Sequence, residues 1–405
     1  MSDSPRHVSR RRVLKGISGI GLSAATFGAV TGSVTGQQES GSSKKKQYIE
    51  EYKVTYPNGM NSQPTIEPIT GTVDRGYWQE MMAAEAAAAQ VRQTLAQNGL
   101  DQRATVSVKT ENSRQELIDP TISVDYNAAK TLPQTEAISS KQAEIESIKS
   151  NVPKKAEGRI EDEGKTISRS FDVIVDTIEK KPATTPSTAD IDWKYDSEYR
   201  PVPGGCHITT PNTNGSHGTL CHSFWEPDSS ARFHITASHV LADGGTQENP
   251  EYSTRVYQPY SDGIGSTKRS ACVYEDNFEA GFVEPQSVDP GYINKMANQD
   301  GSKTDNYVSY FKDWQWLSTD GKTTDITKQG ARTGETSGSV YAADKSNWTF
   351  WMEASMNGGD SGGPSYIVED GKIKLVGMML WSTSTPQQAG GNAIAGLNDR
   401  LGLVP

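Results

Sequence analysis

The sequence predicts an all-β C-terminal half, built as a barrel or sandwich, preceded by a mixed α/β N-terminal segment. Three observations carry this. From Pro203 onward, short runs of β-forming residues alternate with turns rich in Gly, Asn, Asp, Ser and Pro. Between about residues 40 and 200 the chain reads differently, with an Ala-rich helical stretch and an alternating strand. The length of 405 residues exceeds one average domain, and 34% hydrophobic residues suffice for at least one core. The expected divisions are 1–36, 37–200 and 201–405.

Residues 1–36 read as an export signal. Ser9-Arg10-Arg11-Arg12-Val13-Leu14-Lys15 is a basic start, and a mild apolar run follows from Gly16 to about Val34. Basic, then apolar, then small residues is the pattern of a cleaved signal. The Arg pair, with Ser before it and Leu-Lys after it, resembles a twin-arginine signal. A retained anchor is the competing reading, but the segment barely has the length a span needs. The protein is therefore expected outside the cell, with no membrane attachment after cleavage.

In residues 37–200, Lys44-Lys45-Lys46 lies in a Ser/Gly/Gln-rich tract and reads as linker. Trp78 to Gln97 should be helical, stopped by Asn98-Gly99. Ile138, Ile145 and Ile148 suggest a second, weaker helix. Thr166 to Ile178 alternates as a strand through Ile167, Phe171, Val173 and Val175. Lys180 to Thr188 carries Pro182 and Pro186 and reads as linker. With no Cys or His between 40 and 200, this segment offers no catalytic constellation.

In residues 201–405, Gly218 to Trp225, a turn at Glu226-Pro227-Asp228-Ser229-Ser230, and Ala231 to Thr236 predict a hairpin. The charge is uneven. Residues 1–200 hold 27 acidic and 26 basic side chains, residues 201–405 hold 23 and 14, and the whole chain carries −10. That balance argues against a nucleic-acid partner. Three cysteines exclude a disulfide-dense scaffold. An exported chain meets an oxidising compartment, so a disulfide between Cys206 and Cys221 is expected, with Cys272 left as a thiol. Read instead with His207, His217 and His222 as a metal cluster, these residues fit no compact zinc spacing. No metal and no cofactor is expected.

The strongest local signal is Gly358-Gly359-Asp360-Ser361-Gly362-Gly363-Pro364. A nucleophilic Ser needs a sharp turn, free backbone N–H groups for a developing oxyanion, and a base. Gly-x-Ser-x-Gly also suits an α/β-hydrolase, but that fold places its His after the Ser. The six His are 7, 207, 217, 222, 234 and 239, and none follows Ser361. The base must come earlier. Thr236-Ala237-Ser238-His239 at the end of a strand offers it. His234, five residues before His239, is expected on the same strand facing the other way.

Thr236-Ala237-Ser238-His239 together with Gly-Asp-Ser-Gly-Gly-Pro resembles the chymotrypsin-like serine proteases, including their streptogrisin-like branch. Gly218-Thr219-Leu220 and Gly330-Ala331-Arg332-Thr333-Gly334 extend the resemblance over residues 204 to 405. Ser238 replaces a small Ala or Gly, and Val240 stands where many relatives have Cys. The resemblance implies two antiparallel β-barrels and a short C-terminal helix within Asn392 to Leu401. It implies His239 as base, Ser361 as nucleophile and a triad acid at the start of a short apolar strand. Glu279 fills that slot in Glu279-Ala280-Gly281-Phe282-Val283, and Asp276 is the alternative. The N–H groups of Gly359 and Ser361 would form the oxyanion hole. The specificity pocket would have Ser355 at its floor and Met356, Leu380 and Trp381 along its walls, which suits a neutral, apolar side chain.

These features predict a monomeric, exported serine endopeptidase acting on polypeptides. Residues 37–200 would then be a pro-segment that binds its own catalytic domain before maturation, or else a permanent accessory region. The alternative is a catalytically inactive binding protein on a protease-like scaffold, motivated by Glu in place of Asp.

Overall fold

A computed structural model describes residues 44–405, except 61, 102–103, 111, 114–115, 118–119, 127–136, 177–179, 183–191, 212–215, 246–249, 259–261, 276, 287–291 and 384–386. The expected signal, residues 1–36, lies outside the described residues. Among those described, no helix is long and apolar enough to cross a membrane.

The fold is mostly β, as the sequence predicts. One antiparallel sheet holds eight strands. Its path runs His217–Thr219, His207–Thr209, Val256–Tyr257, Gly263–Thr267, Phe278–Pro285, Ala231–Thr236 and His222–Glu226, and Val273–Glu275 pairs with Phe278–Pro285. Inward residues alternate with outward ones along these strands. Phe224, Phe233, Ile235, Phe278, Ala280 and Phe282 thereby share one core. The predicted hairpin forms between His222–Glu226 and Ala231–Thr236, with Phe224 opposite Phe233. Its first arm is shorter than expected. The chain breaks after Thr219, and His217–Thr219 pairs with His207–Thr209 instead.

That pairing decides the fate of the cysteines. Leu220 N donates to Cys206 O at 2.9 Å, so Leu220 is the neighbour of Cys206 across the ladder. Cys221, one residue on, projects from the opposite side of the chain. The Cys206 thiol donates to Pro203 O instead. The expected Cys206–Cys221 disulfide is absent, and all three cysteines are buried thiols.

A second, curled sheet of fifteen strands joins the C-terminal half to the N-terminal region. Its C-terminal members include Tyr307–Lys312, Ile326–Gly330, Val340–Asp344, Thr349–Met352, Pro364–Glu369, Lys372–Thr383 and Ala389–Ala393. It departs from a purely antiparallel barrel, because Tyr307–Lys312 runs parallel to Lys372–Thr383. The helix Ile394–Leu401 ends at Gly402, whose φ of 68° is the left-handed conformation of a helix stop.

The N-terminal region has its own core. The Ala-rich helix Arg75–Gln97 is capped by the Asp74 side chain, which accepts from Tyr77 N at 3.0 Å. Its small residues Ala83, Ala84, Ala87 and Ala88 allow close approach to the strands beneath. Gly158 on the strand Lys155–Asp162 has no room for a Cβ, which would collide with the Ala83 carbonyl. The helix and these strands bury Val106, Val108, Ile122, Val124 and Phe171. The weaker helix spans Ala137–Asn151, and the predicted strand spans Lys165–Asp176.

Two expected linkers are strands. Lys45–Thr55 pairs with Tyr307–Lys312 and places Glu51 opposite Lys312. There Lys312 Nζ meets Glu50 at 2.9 Å and Glu51 at 2.8 Å, and Lys374 meets Glu51 at 2.9 Å. Lys180–Pro182 pairs antiparallel with Trp381–Thr383, despite its Pro. Composition favours a turn there, but a sheet edge within reach overrides it. A third seam joins Ala104–Lys109 to Val340–Asp344. Residues 183–188 of the second expected linker lie outside the described residues.

The stretch before residue 201 is packed into the eight-stranded core. Tyr195 and Tyr199 are buried there, with Val202 just after the stretch, and Tyr199 is at 1% exposure. Tyr199 N donates to Gln258 Oε1, and Gln258 Nε2 donates to Ser197 O.

Candidate active site

The strand Ala231–Thr236 ends one residue before a helical turn, Ser238–Leu241, and His239 lies in that turn. His239 is therefore not on the strand that carries His234. His234 is fully buried and hydrogen-bonded to Ser223 Oγ at 2.7 Å, a structural role. Ser238 ties the turn down by donating its hydroxyl to Val273 O at 2.6 Å.

The strand Phe278–Pro285 lies beside Ala231–Thr236, with Thr236 opposite Gly281. Two residues earlier, Glu279 comes under the turn. Its Oε2 accepts from His239 Nδ1 at 2.7 Å and from His239 N at 3.1 Å. A carboxylate only accepts, so the imidazole proton sits on Nδ1 and the Nε2 lone pair is left as a base. Glu279 is 4% exposed at the side chain. Its backbone N donates to Asn392 Oδ1 at 3.0 Å, and Asn392 Nδ2 donates to Asn277 O. Asp276 lies outside the described residues.

Ser361 sits on a turn that only glycines allow. Gly359 has φ 105° and Gly362 has φ 88°, both in the left-handed region. A Cβ on Gly362 would collide with Thr236 Oγ1 and come within 3.0 Å of Ala237 N, so the turn rests on the end of the His strand. Thr219 anchors it twice: its Oγ1 donates to Gly359 O at 2.8 Å and its N donates to Ser361 O at 2.9 Å. Among the described residues, neither Gly359 N nor Ser361 N donates to any acceptor. Ser361 Oγ donates to Leu380 O at 3.3 Å, while His239 Nε2 is buried without a hydrogen-bond partner among the described residues. Ser361 and His239 thus share no hydrogen bond in this arrangement; the hydroxyl is turned toward Leu380.

Asp360 orders the turn from beneath. It accepts from Arg332 N, Thr333 N, Thr333 Oγ1 and Asn357 N. Lys328 Nζ meets its Oδ2 at 3.0 Å with both side chains fully buried. Burial lowers the Lys328 pKa, and the Asp360 charge beside it opposes that. Sequence reasoning gives no site role to Lys328, Asn392 or Thr219, the last appearing only within Gly218-Thr219-Leu220; they lie 32 to 140 positions from their partners. Local spacing carries no signal for such contacts.

The expected pocket residues take different positions. Ser355 is half-buried, and its carbonyl accepts from Thr336 Oγ1 at 2.9 Å. Met356 is buried in a cluster with Phe350, Met352 and Met379. Leu380 supplies the carbonyl that meets Ser361. Trp381 lies opposite Gly390 and, on its other edge, opposite Pro182. His207 and His217 come together, with His207 Nε2 and His217 Nδ1 2.9 Å apart. Burial pushes His207 down to about 3 and lowers His217. The group of Glu50, Glu51 and Glu369 brings three carboxylates together. Lys312 and Lys374 sit among them and neutralise their charge.

No protein-family model matches this chain, and no curated protein matches it by sequence. Solved structures similar to it include two proteases. A thermostable serine protease, AL20, from an extremophilic microorganism matches with 13% identity and a TM-score of 0.31, covering 48% of this chain and 93% of that one. The protease Anisep from Arthrobacter nicotinovorans matches with 14% identity and a TM-score of 0.28, covering 46% of this chain and 88% of that one.

Proposed function

We propose that this chain is an exported serine endopeptidase, made as a precursor whose N-terminal region restrains it. The observation that carries the reading is the carboxylate–imidazole pair, Glu279 Oε2 to His239 Nδ1 at 2.7 Å, beside a glycine-shaped Ser turn with two unpaired amides. The reaction requires Ser361 to rotate away from Leu380 toward His239 Nε2. The imidazole takes the proton as Oγ attacks the scissile carbonyl, and Glu279 stabilises the imidazolium. The amides of Gly359 and Ser361 hold the oxyanion, where one lost donor typically costs about 3–4 kcal/mol. His239 then protonates the leaving amine, and water releases the acyl-enzyme.

A polypeptide substrate suits the open edge of Trp381–Thr383, which offers backbone groups to an extended chain. Lys180–Pro182 occupies that edge in the precursor, next to Leu380 and therefore beside Ser361. Residues 37–200 thus contain an internal competitor for the substrate groove, Lys180–Pro182. The neutral Ser355 at the expected floor suits a neutral, apolar side chain in the pocket. Export by the twin-arginine route fits the basic and apolar start.

Labelling with a fluorophosphonate tests the reading. Secreted wild type should be labelled on Ser361, and Ser361→Ala should not. A folded wild type that stays unlabelled would favour the inactive, protease-like binding protein.

A further inference from the structure

Thr219 holds the Gly359 carbonyl, but the Gly359 amide needs something else to direct it. Two consecutive glycines, Gly358 and Gly359, leave their shared peptide free to turn over, because neither carries a Cβ. The Gly359 amide has no hydrogen-bond partner among the described residues to fix its direction. What stands against it is Trp193. A Cβ on Gly359 would lie 2.8 Å from Trp193 Cη2 and 3.5 Å from Arg332 Cβ, so the benzo end of the indole packs directly on this backbone.

Trp193 is itself well fixed. It is 7% exposed. Its ring stacks over both His207 and His217, at 4.5 and 4.4 Å between centroids and within 9° of parallel. The two imidazoles lie 9° from coplanar and share a hydrogen bond, so together they form one flat floor for the indole. The backbone that follows it is bound twice: Lys194 N donates to Ala331 O at 2.7 Å, and His207 N donates to Tyr195 O at 3.0 Å.

We propose that Trp193 is a positioning residue for the oxyanion amide of Gly359, so that the working catalytic unit begins upstream of Trp193. The proposal rests on the serine endopeptidase reading. The flat ring blocks the volume into which the Gly358–Gly359 peptide would swing, and it keeps the amide aimed at the carbonyl under attack.

The test compares secreted wild type with Trp193→Ala and Trp193→Phe, each normalised by fluorophosphonate titration. A peptide aldehyde reports the oxyanion hole, because its hemiacetal oxygen sits there. The corresponding product acid reports ground-state binding. Trp193→Ala should lower kcat about 10- to 100-fold, a fraction of the effect of losing a whole donor, with KM within about threefold. Aldehyde affinity should fall by the same factor, product affinity should hold, and Trp193→Phe should recover most of the loss. Unchanged kinetics, or an equal loss of aldehyde and product affinity, would overturn the proposal. If Trp193→Ala is not secreted, Trp193→Leu, which keeps bulk without the flat ring, is measured in its place with the same criteria. N-terminal sequencing of the labelled wild type gives a second check: a start at or before Trp193 is required, and a start between Tyr199 and Cys206 overturns the proposal. A wild type that takes no label refutes the parent reading and this one together; a labelled wild type matched by Trp193→Ala refutes only this one.

Discussion

Replacing Glu279 by Gln changes charge and almost nothing else. Oε2 of Glu279 accepts from two donors of one residue, His239 Nδ1 at 2.7 Å and His239 N at 3.1 Å. A Gln that keeps its carbonyl there preserves both hydrogen bonds but leaves the imidazolium without its counter-charge. At 2.7 Å and an effective dielectric of about 20, that charge is worth at most about 6 kcal/mol. With about 1.36 kcal/mol per tenfold in rate, the ceiling is roughly 10⁴. A Gln that presents its amide nitrogen instead faces two donors with a donor. The imidazole then moves its proton to Nε2 and loses the base, a comparable loss of about 10⁴. Either way kcat should drop about 10³- to 10⁴-fold, with KM little changed. Initial rates on a peptide substrate, normalised to folded protein by thermal melting, provide the assay. A loss under about tenfold would refute the role of Glu279, as would an equal or larger loss in Asp276→Asn.

Three further outcomes follow from the same contacts. Lys328→Met strands Asp360 in a fully buried site, so it should destabilise by about 3–5 kcal/mol, and Lys328→Met/Asp360→Asn should regain stability but not activity; urea titration and rate measurements check both. Burial holds the Lys322 ammonium at about 7 against an ordinary 10.5, so between these values the unfolded chain binds more protons and stability rises with pH. That rise should flatten in Lys322→Met, and parallel melting-temperature curves for the two proteins between pH 7 and about 10 would contradict it. Three buried thiols, with Cys272 raised to about 11 and Cys221 also raised by burial, should resist Ellman's reagent in the native state. All three should react in denaturant without reductant, and a single reactive thiol would restore the disulfide.

What the sequence made legible follows physical locality. The Ser turn is readable because a backbone bent to φ 105° at Gly359 and φ 88° at Gly362 leaves glycines in the chain. Glu279 is legible only through the resemblance, which puts an acid at the start of a short apolar strand, and its carboxylate meets His239 Nδ1 at 2.7 Å. The Ala-rich helix is readable because close packing on Gly158 demands small residues. Lys328 and Trp193 are not readable, since each acts on the Ser turn through contacts that no spacing rule relates. Lys180–Pro182 reads as linker because Pro weakens any local preference for strand, and only the nearby edge of Trp381–Thr383 supplies the pairing. The cysteine pairing failed for a register reason. Cys221 follows Leu220 directly, and that one-residue step turns the thiol to the other face.

The shared fifteen-stranded sheet has a consequence for what maturation would leave behind. Shedding the N-terminal region would strip a neighbour from Tyr307–Lys312, from Val340–Asp344 and from Trp381–Thr383 at once. Each bared row of N–H and C=O groups is a template on which foreign strands can grow. Two of the three rows differ in whether they are guarded. Lys312, freed of Glu50 and Glu51, would keep only Glu369 at 3.9 Å and put more of its charge on the edge, the kind of charge that discourages stacking of identical chains. The edge at Trp381 has no such guard, and there adhesion of an incoming strand is what a peptide-cutting enzyme requires.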